Sequence, residues 1–309
     1  KKLALLTAVT YSDFGDMKIG SKDHKDYPDF GRRFEYVDQI GYMDTIRKNN
    51  DPNRQVFSGY KQWDILQKVL YKPSEKVSHQ LSFQYSNSGN VPRYDRLQDI
   101  RNGQLRYAAW YYGPQLRQFA GYTFNAEKLP GFFNQVRATV SYQNIEESRQ
   151  TRDYRRYDRF DSRREKVKVF GAVIDARKVF GNHELSVGTD LQWNDVKSRA
   201  DRTNLLTGAV SKLDTRYPDG KNRMNYYGLF AQHTLKMKAG KWVLNDGLRL
   251  QFTSLQSNIE DNSFFNLPVT ETTQKNTAVT GNLGLVYMAS PSARFTLGLS
   301  SGFRSPNID

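Results

Sequence analysis

The feature of this sequence that most constrains its fold is an alternation of apolar and polar side chains with a period of two. In residues 77–86 the odd positions carry Val, His, Leu, Phe and Tyr, and the even positions carry only Ser and Gln. Side chains of a β-strand point alternately to opposite faces, so such a strand has one apolar and one polar face. The alternation returns in residues 183–193, 227–236, 242–253, 277–289 and 293–303.

The connections between these segments alternate between short and long. Short ones are predicted at 72–75, 127–134, 179–182, 237–241 and 290–292, and long ones at 20–56, 87–110, 147–162, 197–222 and 260–275. Strict alternation requires residues 111–125 to form one strand rather than a hairpin about Gly113-Pro114, although proline favours strand ends, edges and bulges. Short turns at one end and long polar loops at the other are typical of an outer-membrane β-barrel.

We therefore predict an all-β fold, an antiparallel transmembrane β-barrel of about 11 strands between Leu3 and Arg304. Complete bacterial barrels have an even number of strands, so residues 1–309 are interpreted as a barrel domain truncated at both ends. Asp246 falls on the apolar face of its strand and is expected near the rim of short turns. A soluble antiparallel β-sandwich or propeller is the alternative fold, but it explains less well why every long loop falls on the same side.

Composition narrows the class of protein. The hydrophobic fraction of 38% is low for a large core, yet a barrel needs apolar side chains only at alternate positions. The absence of cysteine excludes disulfides and thiolate metal sites. The net charge of +14 fits anionic lipid or an anionic ligand, and nucleic-acid binding is not predicted because no nucleic-acid-binding fold is present. We find no catalytic constellation, and the 4 histidines lack metal-ligand spacing. The chain is predicted not to be an enzyme, with no metal and no cofactor.

The end of the chain resembles a known family. The run Phe303-Arg304-Ser305-Pro306-Asn307 is similar to the mid-barrel motif of TonB-dependent outer-membrane receptors. Residues 90–97, 110–115 and 142–149 resemble the Bacteroidetes-type branch of that family, so the resemblance covers nearly the whole chain. It gives Phe303, Arg304, Pro306 and Asn307 a structural role, in which the proline ends strand pairing and Arg304 faces the lumen or plug.

The resemblance implies a 22-stranded barrel closed by an N-terminal plug domain, in the outer membrane of a Gram-negative bacterium. The implied function is uptake of a scarce nutrient, energised through the plug by the TonB-ExbB-ExbD system. No plug sequence is present in residues 1–309, so the plug is expected elsewhere. A ferric siderophore or haem is the expected ligand because the basic loops suit an anionic iron complex. A passive porin-like channel and a soluble surface-binding β-sandwich protein are the alternative functions.

Arginine and aromatic residues in the long connections are the candidate ligand contacts, because these residue types anchor many recognition surfaces. The candidates are Arg93, Tyr94, Arg96, Trp110, Tyr111, Tyr112, Arg149 and Arg152. Arginine binds carboxylate and phosphate groups through two parallel hydrogen bonds. The residues from Arg149 to Arg164 allow a second interpretation, namely an Arg-rich rim with internal Asp partners that faces outer-membrane lipid and lipopolysaccharide.

Overall fold

The computed structural model describes residues 2–20, 25–40 and 43–305. Within these residues the strands are β1 (Leu3–Phe14), β2 (Glu35–Ile40), β3 (Met43–Lys48), β4 (Tyr60–Tyr71), β5 (Val77–Ser88), β6 (Val91–Pro92), β7 (Ile100–Arg101), β8 (Gln104–Leu105), β9 (Tyr107–Tyr112), β10 (Leu116–Glu127), β11 (Gln135–Asp153), β12 (Phe160–Phe180), β13 (His183–Thr203), β14 (Val210–Lys212), β15 (Asn222–Met237), β16 (Trp242–Asn258), β17 (Glu271–Ser290) and β18 (Ala293–Ser300). Two short 3-10 helices cover Arg96–Gln98 and Asn262–Phe264. Neither they nor any other helix in the described part of the chain is long and apolar enough to cross a membrane.

One antiparallel sheet dominates the molecule. Its strands follow one another in the order β1-β4-β5-β10-β11-β12-β13-β15-β16-β17-β18, with β6, β9 and β14 attached to that path. These 11 strands of the path confirm the predicted all-β antiparallel fold. A sandwich needs a second sheet packed on the first, whereas the other sheets among the described residues are the two-stranded pairs β2-β3 and β7-β8. The sandwich alternative is therefore wrong.

The strand predicted over residues 111–125 is interrupted but does not reverse. Tyr112 of β9 lies opposite Arg149, and Leu116 of β10 lies opposite Glu146, so both strands run along β11 in the same direction. Gly113 has a φ of 115°, and a Cβ there would lie 2.6 Å from the carbonyl oxygen of Gly89. Only glycine fits this break, and every later strand keeps its predicted direction.

The strands β11, β12 and β13 are longer than the sequence predicts. The long loop expected at 147–162 is wrong, because β11 continues to Asp153 and β12 begins at Phe160. Similarly, β13 continues to Thr203, inside the loop expected at 197–222. The hydrophobic alternation stops in these extensions because both faces become polar there, so backbone pairing continues without a sequence signal.

The apolar face of the sheet carries two rows of aromatic side chains. The upper aromatic row lies toward the long loops and contains Tyr11, Trp63, Tyr142, Phe170, Trp193, Tyr227 and Phe252; the lower aromatic row lies toward the short turns and contains Tyr71, His79, Tyr122, Phe180, His183, Trp242, Tyr287 and Phe295. Between them the apolar side chains are open, as at Leu297, which is 74% exposed. The stretch from Phe170 to Phe180 matches the about 9–11 residues that a tilted strand needs to cross a membrane. Two aromatic rows bounding an apolar band are what a lipid-facing barrel surface requires.

Asp246 lies on this apolar face, near the short-turn rim as predicted. Its Oδ1 atom is 3.0 Å from Nδ1 of His233, and Nε2 of His233 is 2.9 Å from Nδ1 of His183. His183 in turn stacks on Phe180 with 5.0 Å between ring centres. The carboxylate is thus joined to the lower aromatic row by hydrogen bonds, which reduces the penalty of placing it beside lipid.

The C-terminal motif departs from its predicted orientation. The apolar alternation was expected to continue through Phe303, but β18 ends at Ser300. Phe303 and Ser305 turn instead onto the polar face, beside Arg249, Thr253 and Thr280, and the Ser305 hydroxyl lies 3.2 Å from that of Thr253. Arg304 is exposed. The predictions for Pro306 and Asn307 lie outside the described residues.

Candidate ligand-binding surface on the polar face

Two arginines and two aromatic side chains meet on the polar face at the long-loop end of the sheet. Trp110 and Tyr112 of β9 lie opposite Thr151 and Arg149 of β11, and β6 pairs along the other edge of β9. Arg93, one residue beyond β6, places its guanidinium carbon 4.7 Å from the ring centre of Trp110. Arg149 approaches the same ring to 5.5 Å. We call Arg93, Trp110, Tyr112 and Arg149 the arginine–aromatic cluster.

Arg93 is held in place by hydrogen bonds at every nitrogen of its guanidinium group. Its Nε and Nη2 atoms donate to the two carboxylate oxygens of Asp95 at 2.8 and 2.7 Å, and Nη1 donates to the Tyr112 hydroxyl at 2.6 Å. This bidentate pair holds the pKa of Asp95 below its usual range. Because Asp95 neutralises its charge, Arg93 serves to position Trp110 and Tyr112.

Arg149 is the cation of the cluster that remains available. Among the described residues no carboxylate lies within ion-pair distance of it, its charge acts at longer range on Glu165, and its side chain is only partly buried. It contacts the faces of Trp110 and Tyr112, with 5.7 Å to the Tyr112 ring centre. A guanidinium supported by aromatic rings keeps its charge and its fork of donors for a carboxylate or phosphate.

Arg152 is placed differently from its prediction as a ligand contact. It is 6% exposed, and its Nη1 and Nη2 atoms donate to the Asp44 carboxylate at 2.5 and 2.7 Å. The backbone N–H of Arg155 donates to the same carboxylate at 2.8 Å. Arg152 thus ties β3 to β11 and has no exposed donors for a ligand, so we do not retain it as a contact.

The other three candidates lie apart from the cluster. Tyr111 alternates with Tyr112 and so faces the opposite side of β9, where it lines a cavity of about 390 Å³ that Asp44 and Arg152 also line. Burial raises the pKa of the Tyr111 hydroxyl. Tyr94 is 39% exposed on the loop after β6, and Arg96 lies on the same loop, 3.4 Å from Asp99.

The loop after β14 adds residues to the polar face that sequence reasoning missed. Arg163 of β12 donates from Nη2 to Asp214 at 2.9 Å and from Nε to the backbone oxygen of Asp214 at 3.0 Å. Beside it, Glu165 is 6% exposed and accepts from the Ser198 hydroxyl at 3.4 Å. Burial raises the pKa of Glu165, partly offset by the charges of Arg216 and Arg149. No local pattern in the sequence signals that this loop folds back onto the sheet.

Deeper on the polar face, Asp190 of β13 and Arg249 of β16 form an ion pair across the intervening strand β15. The Nη1 atom of Arg249 lies 2.7 Å from Oδ1 of Asp190. Gly228 lies between them, and a Cβ at this position would lie within 2.3 Å of the Arg249 guanidinium. The glycine therefore leaves the space that the pair occupies. Among the described residues no three His, Cys, Asp or Glu side chains group as a metal site.

Comparisons with known proteins agree with this architecture. A sequence model of the family described as TonB dependent receptor-like, beta-barrel matches residues 63–309. No curated protein matches the sequence. The structure is similar to the FrpB iron transporter from Neisseria meningitidis (F5-1 variant), with a TM-score of 0.68 and 11% identity, covering 99% of this chain and 43% of that chain.

Two further solved structures share the fold. The copper transporter OprC gives a TM-score of 0.67 at 19% identity, covering 83% of this chain and 38% of that one. The hemophore receptor HasR of Serratia marcescens, solved with its hemophore HasA and heme, gives 0.57 at 13% identity, covering 98% of this chain and 41% of that one. The chain thus spans about two fifths of the length of the structures it matches.

Proposed function

The chain belongs to the TonB-dependent receptor β-barrel family of the Gram-negative outer membrane, and from this premise we propose that it forms part of an active importer of an anionic iron complex. The complex is a ferric siderophore or haem. The family consists of transport receptors rather than enzymes, and the proposed activity is binding followed by energised passage, without covalent chemistry.

The observation that carries the choice of ligand class is Arg149. It presents an unpaired guanidinium on the polar face, which is the lumen side of the barrel, at the long-loop and hence extracellular end. Carboxylates of a ferric siderophore or of the haem propionates suit its fork of donors. The partly exposed ring of Tyr112 adds a flat surface beside it.

The partners follow from the family. The importer is energised by the TonB-ExbB-ExbD system acting on a plug domain, and the plug closes the lumen of a 22-stranded barrel. Polar side chains of the lumen wall, including the Asp190–Arg249 pair, line the path below the cluster. The apolar face contacts outer-membrane lipid and lipopolysaccharide, and no nucleic-acid partner is proposed.

The structural neighbours share the fold and do not choose a ligand. Their names describe an iron transporter, a copper transporter and a hemophore receptor bound to heme. At 19% identity or less they share the fold alone with this chain. A passive porin-like channel is the second candidate function, which a full-length gene without a plug domain would favour.

Growth of a strain that lacks the full-length gene tests the proposal. The strain is starved of iron and resupplied with haem, a ferric siderophore or inorganic iron. We expect growth to fail on one complexed source and to return with the intact gene. Equal growth on every source, in a strain without a second receptor for them, contradicts iron uptake. Retained growth when TonB is inactivated contradicts energised transport and favours the passive channel.

The role of Arg149 is tested separately by ligand titration of the purified full-length receptor. Arg149→Gln removes one charge-assisted contact, and such contacts contribute about 1.5–3 kcal/mol, so we expect the Kd for the transported complex to rise at least about tenfold. Arg156→Gln is the matched control, because Arg156 is exposed at the β11–β12 turn and already paired with Asp158. An unchanged Kd for Arg149→Gln removes Arg149 from the binding surface.

A further inference from the structure

The lumen face of β12, β13, β15 and β16 contains a pocket of about 270 Å³ near the extracellular end of the sheet. Its apolar wall is formed by Val167, Val196, Met224 and Leu255. These side chains are neighbours across the strands, because Val167 lies opposite Val196 and Met224 lies opposite Leu255. The interior of a wide outer-membrane barrel is usually polar, so an apolar pocket in its wall suits an apolar group that enters from the lumen.

Two tyrosines add aromatic surface to this pocket. Tyr226 lies two positions after Met224 on β15, and its hydroxyl donates to Sδ of Met224 at 3.0 Å. Tyr217 belongs to the loop after β14, and its backbone N–H donates to the Ser198 hydroxyl at 3.4 Å, which holds this part of the loop on β13. Tyrosine rings and a methionine sulfur both make favourable contacts with a further aromatic ring.

Arg216 places a positive charge beside the pocket. Its guanidinium carbon lies 5.1 Å from the ring centre of Tyr217. The side chain is exposed, and in the part of the chain that the structure describes no carboxylate lies within ion-pair distance of it. Its charge acts at longer range on Glu165, the lumen-facing residue that precedes Val167 on β12. The pocket therefore combines apolar and aromatic walls with an available cation.

The size of the pocket indicates that it holds one part of a ligand. An apolar cavity of about 150 Å³ binds benzene, whereas sites that enclose a whole drug-sized molecule span about 300–1,000 Å³. The 270 Å³ present here accommodates one substituted ring. A porphyrin consists of four linked rings and exceeds this space.

We propose that the pocket is a subsite for an aromatic ring that carries anionic oxygens, as the catecholate and phenolate groups of aryl siderophores do. This inference rests on the proposed function and selects within it a ferric siderophore with an aryl group rather than haem. The ring edge lies between Tyr217 and Tyr226 and contacts Met224. The oxygens that coordinate the iron lie at the pocket opening, where their negative charge faces Arg216.

Ligand titration of the purified full-length receptor tests the subsite with three probes. These are the ferric complex of dihydroxybenzoate, which is a catecholate, ferric citrate, which has no aromatic ring, and haem. We expect the dihydroxybenzoate complex to bind most tightly. Tighter binding of ferric citrate or haem, or no binding of the dihydroxybenzoate complex, overturns the aryl subsite. The growth test decides separately whether the receptor imports an iron complex at all.

Val167→Phe fills the pocket without changing any charge. We expect it to raise the Kd for the dihydroxybenzoate complex about tenfold, the effect of excluding one apolar ring from a buried position, and to leave the Kd for ferric citrate unchanged. Val173→Phe is the matched control, because Val173 faces the lumen on the same strand but lies outside the pocket. The proposal is overturned if Val167→Phe leaves the Kd for the dihydroxybenzoate complex unchanged, or if Val173→Phe raises it equally.

The role of Arg216 is tested by Arg216→Gln, which removes the charge and leaves the apolar wall intact. We expect the Kd for the dihydroxybenzoate complex to rise about tenfold, since a charge-assisted contact is lost. Arg159→Gln is the control, because Arg159 is exposed and paired with Asp158. Equal Kd values for Arg216→Gln and the unaltered receptor contradict the assignment of the anionic oxygens to Arg216.

Competition on the unaltered receptor keeps the subsite testable if Val167→Phe fails to fold. Free dihydroxybenzoate is expected to displace the bound ferric complex. Cyclohexanecarboxylate carries the same carboxylate charge on a ring that is not aromatic, and it is expected to displace the complex much less. Equal displacement by the two acids contradicts a subsite for an aromatic ring.

Discussion

Burial decides the role of individual arginines in this protein. Arg149 and Arg152 are three positions apart on β11, yet Arg149 is an available cation on the lumen face while Arg152 is 6% exposed on the other face and fully paired with Asp44. Sequence analysis predicts the same role for both arginines, because composition and spacing carry no information about the ion-pair partner of each. That partner comes from a hairpin 108 positions away.

We predict that Asp44→Asn releases the β2–β3 hairpin from β11. Loss of one member of a buried ion pair leaves an uncompensated charge and typically destabilises by about 3–5 kcal/mol. Limited trypsin digestion of the full-length receptor measures the release, since the side chains of Arg47 and Lys48 are exposed but the backbone beside them can be cleaved only when the hairpin leaves its paired conformation. Asp38→Asn is the control, because Asp38 pairs with the exposed Arg47 and such pairs contribute about 0–1 kcal/mol. Equal digestion of both variants contradicts a clamping role for Asp44.

Glu165 gives a pH-dependent prediction. Burial raises its pKa in the folded state, so the folded protein binds the proton more tightly than the unfolded chain does. The contribution of Glu165 to stability is therefore greatest at low pH and falls as pH rises from the ordinary glutamate pKa, about 4.3, through the raised value. Glu165→Gln removes this loss, and we expect the Tm of the full-length receptor to fall less between pH 4 and pH 8.

The exposed Glu75, in the turn between β4 and β5, is the control for that measurement. Glu75→Gln is expected to leave the pH dependence of Tm as in the unaltered receptor. A Tm that changes with pH to the same extent in Glu165→Gln as in the unaltered receptor contradicts the assignment.

At the scale of elements, the strands behave as two connected parts with different sequence rules. Within the membrane band one face is apolar and the alternation is visible. In the extensions of β11, β12 and β13, both faces are polar and cross-strand ion pairs such as Lys166–Glu146 join the strands. The backbone ladder continues through both parts, because hydrogen bonding between strands does not depend on side-chain polarity.

We predict that the amides of residues 148–151 and 161–165 are protected from hydrogen exchange in the full-length receptor. Their backbone groups are paired in the β11–β12 ladder, whereas residues 154–159 form the turn between the strands. Hydrogen exchange followed by mass spectrometry measures both. If the paired segments exchange as fast as the turn, the strand extensions are contradicted. The long loop predicted from the sequence at 147–162 is then the better description.

For the whole molecule, the two faces of the sheet meet different solvents. Trp63, Trp193 and Trp242 belong to the aromatic rows of the apolar face, whereas Trp110 is 8% exposed in the arginine–aromatic cluster. The order of the path leaves β1 and β18 as its two edge strands, and no pairing joins them among the described residues. Strand edges of this kind are closed in a complete barrel.

We predict that brominated lipids quench the fluorescence of the apolar-face tryptophans in the reconstituted full-length receptor. Trp193→Phe is expected to reduce the quenchable fraction, because bromine atoms in the bilayer contact only side chains on the lipid face. Trp110→Phe is the control and is expected to leave the absolute intensity of the quenchable fluorescence unchanged. A quenchable loss from Trp110→Phe equal to that from Trp193→Phe contradicts the assignment of faces.

The sequence by itself determined the fold class, the number of strands in the path and the side of each strand that meets lipid. These properties follow from the alternation of apolar and polar residues and from turn length, and both depend only on residues that are close together in the sequence. It also determined the continuity of β9 and β10 along β11, because a reversal at Gly113 would have exchanged the two ends of every later strand. The family motif at the C-terminus indicated in addition the class of receptor to which the chain belongs.

Only the tertiary structure decided which candidate residues come together. It united Arg93 with Arg149 around Trp110 and Tyr112, paired Arg152 with Asp44, and turned Phe303 onto the polar face. It also extended the strands into polar sequence. Each of these outcomes depends on residues far apart in the chain or on pairing between polar strands, and neither leaves a periodic signal in the sequence.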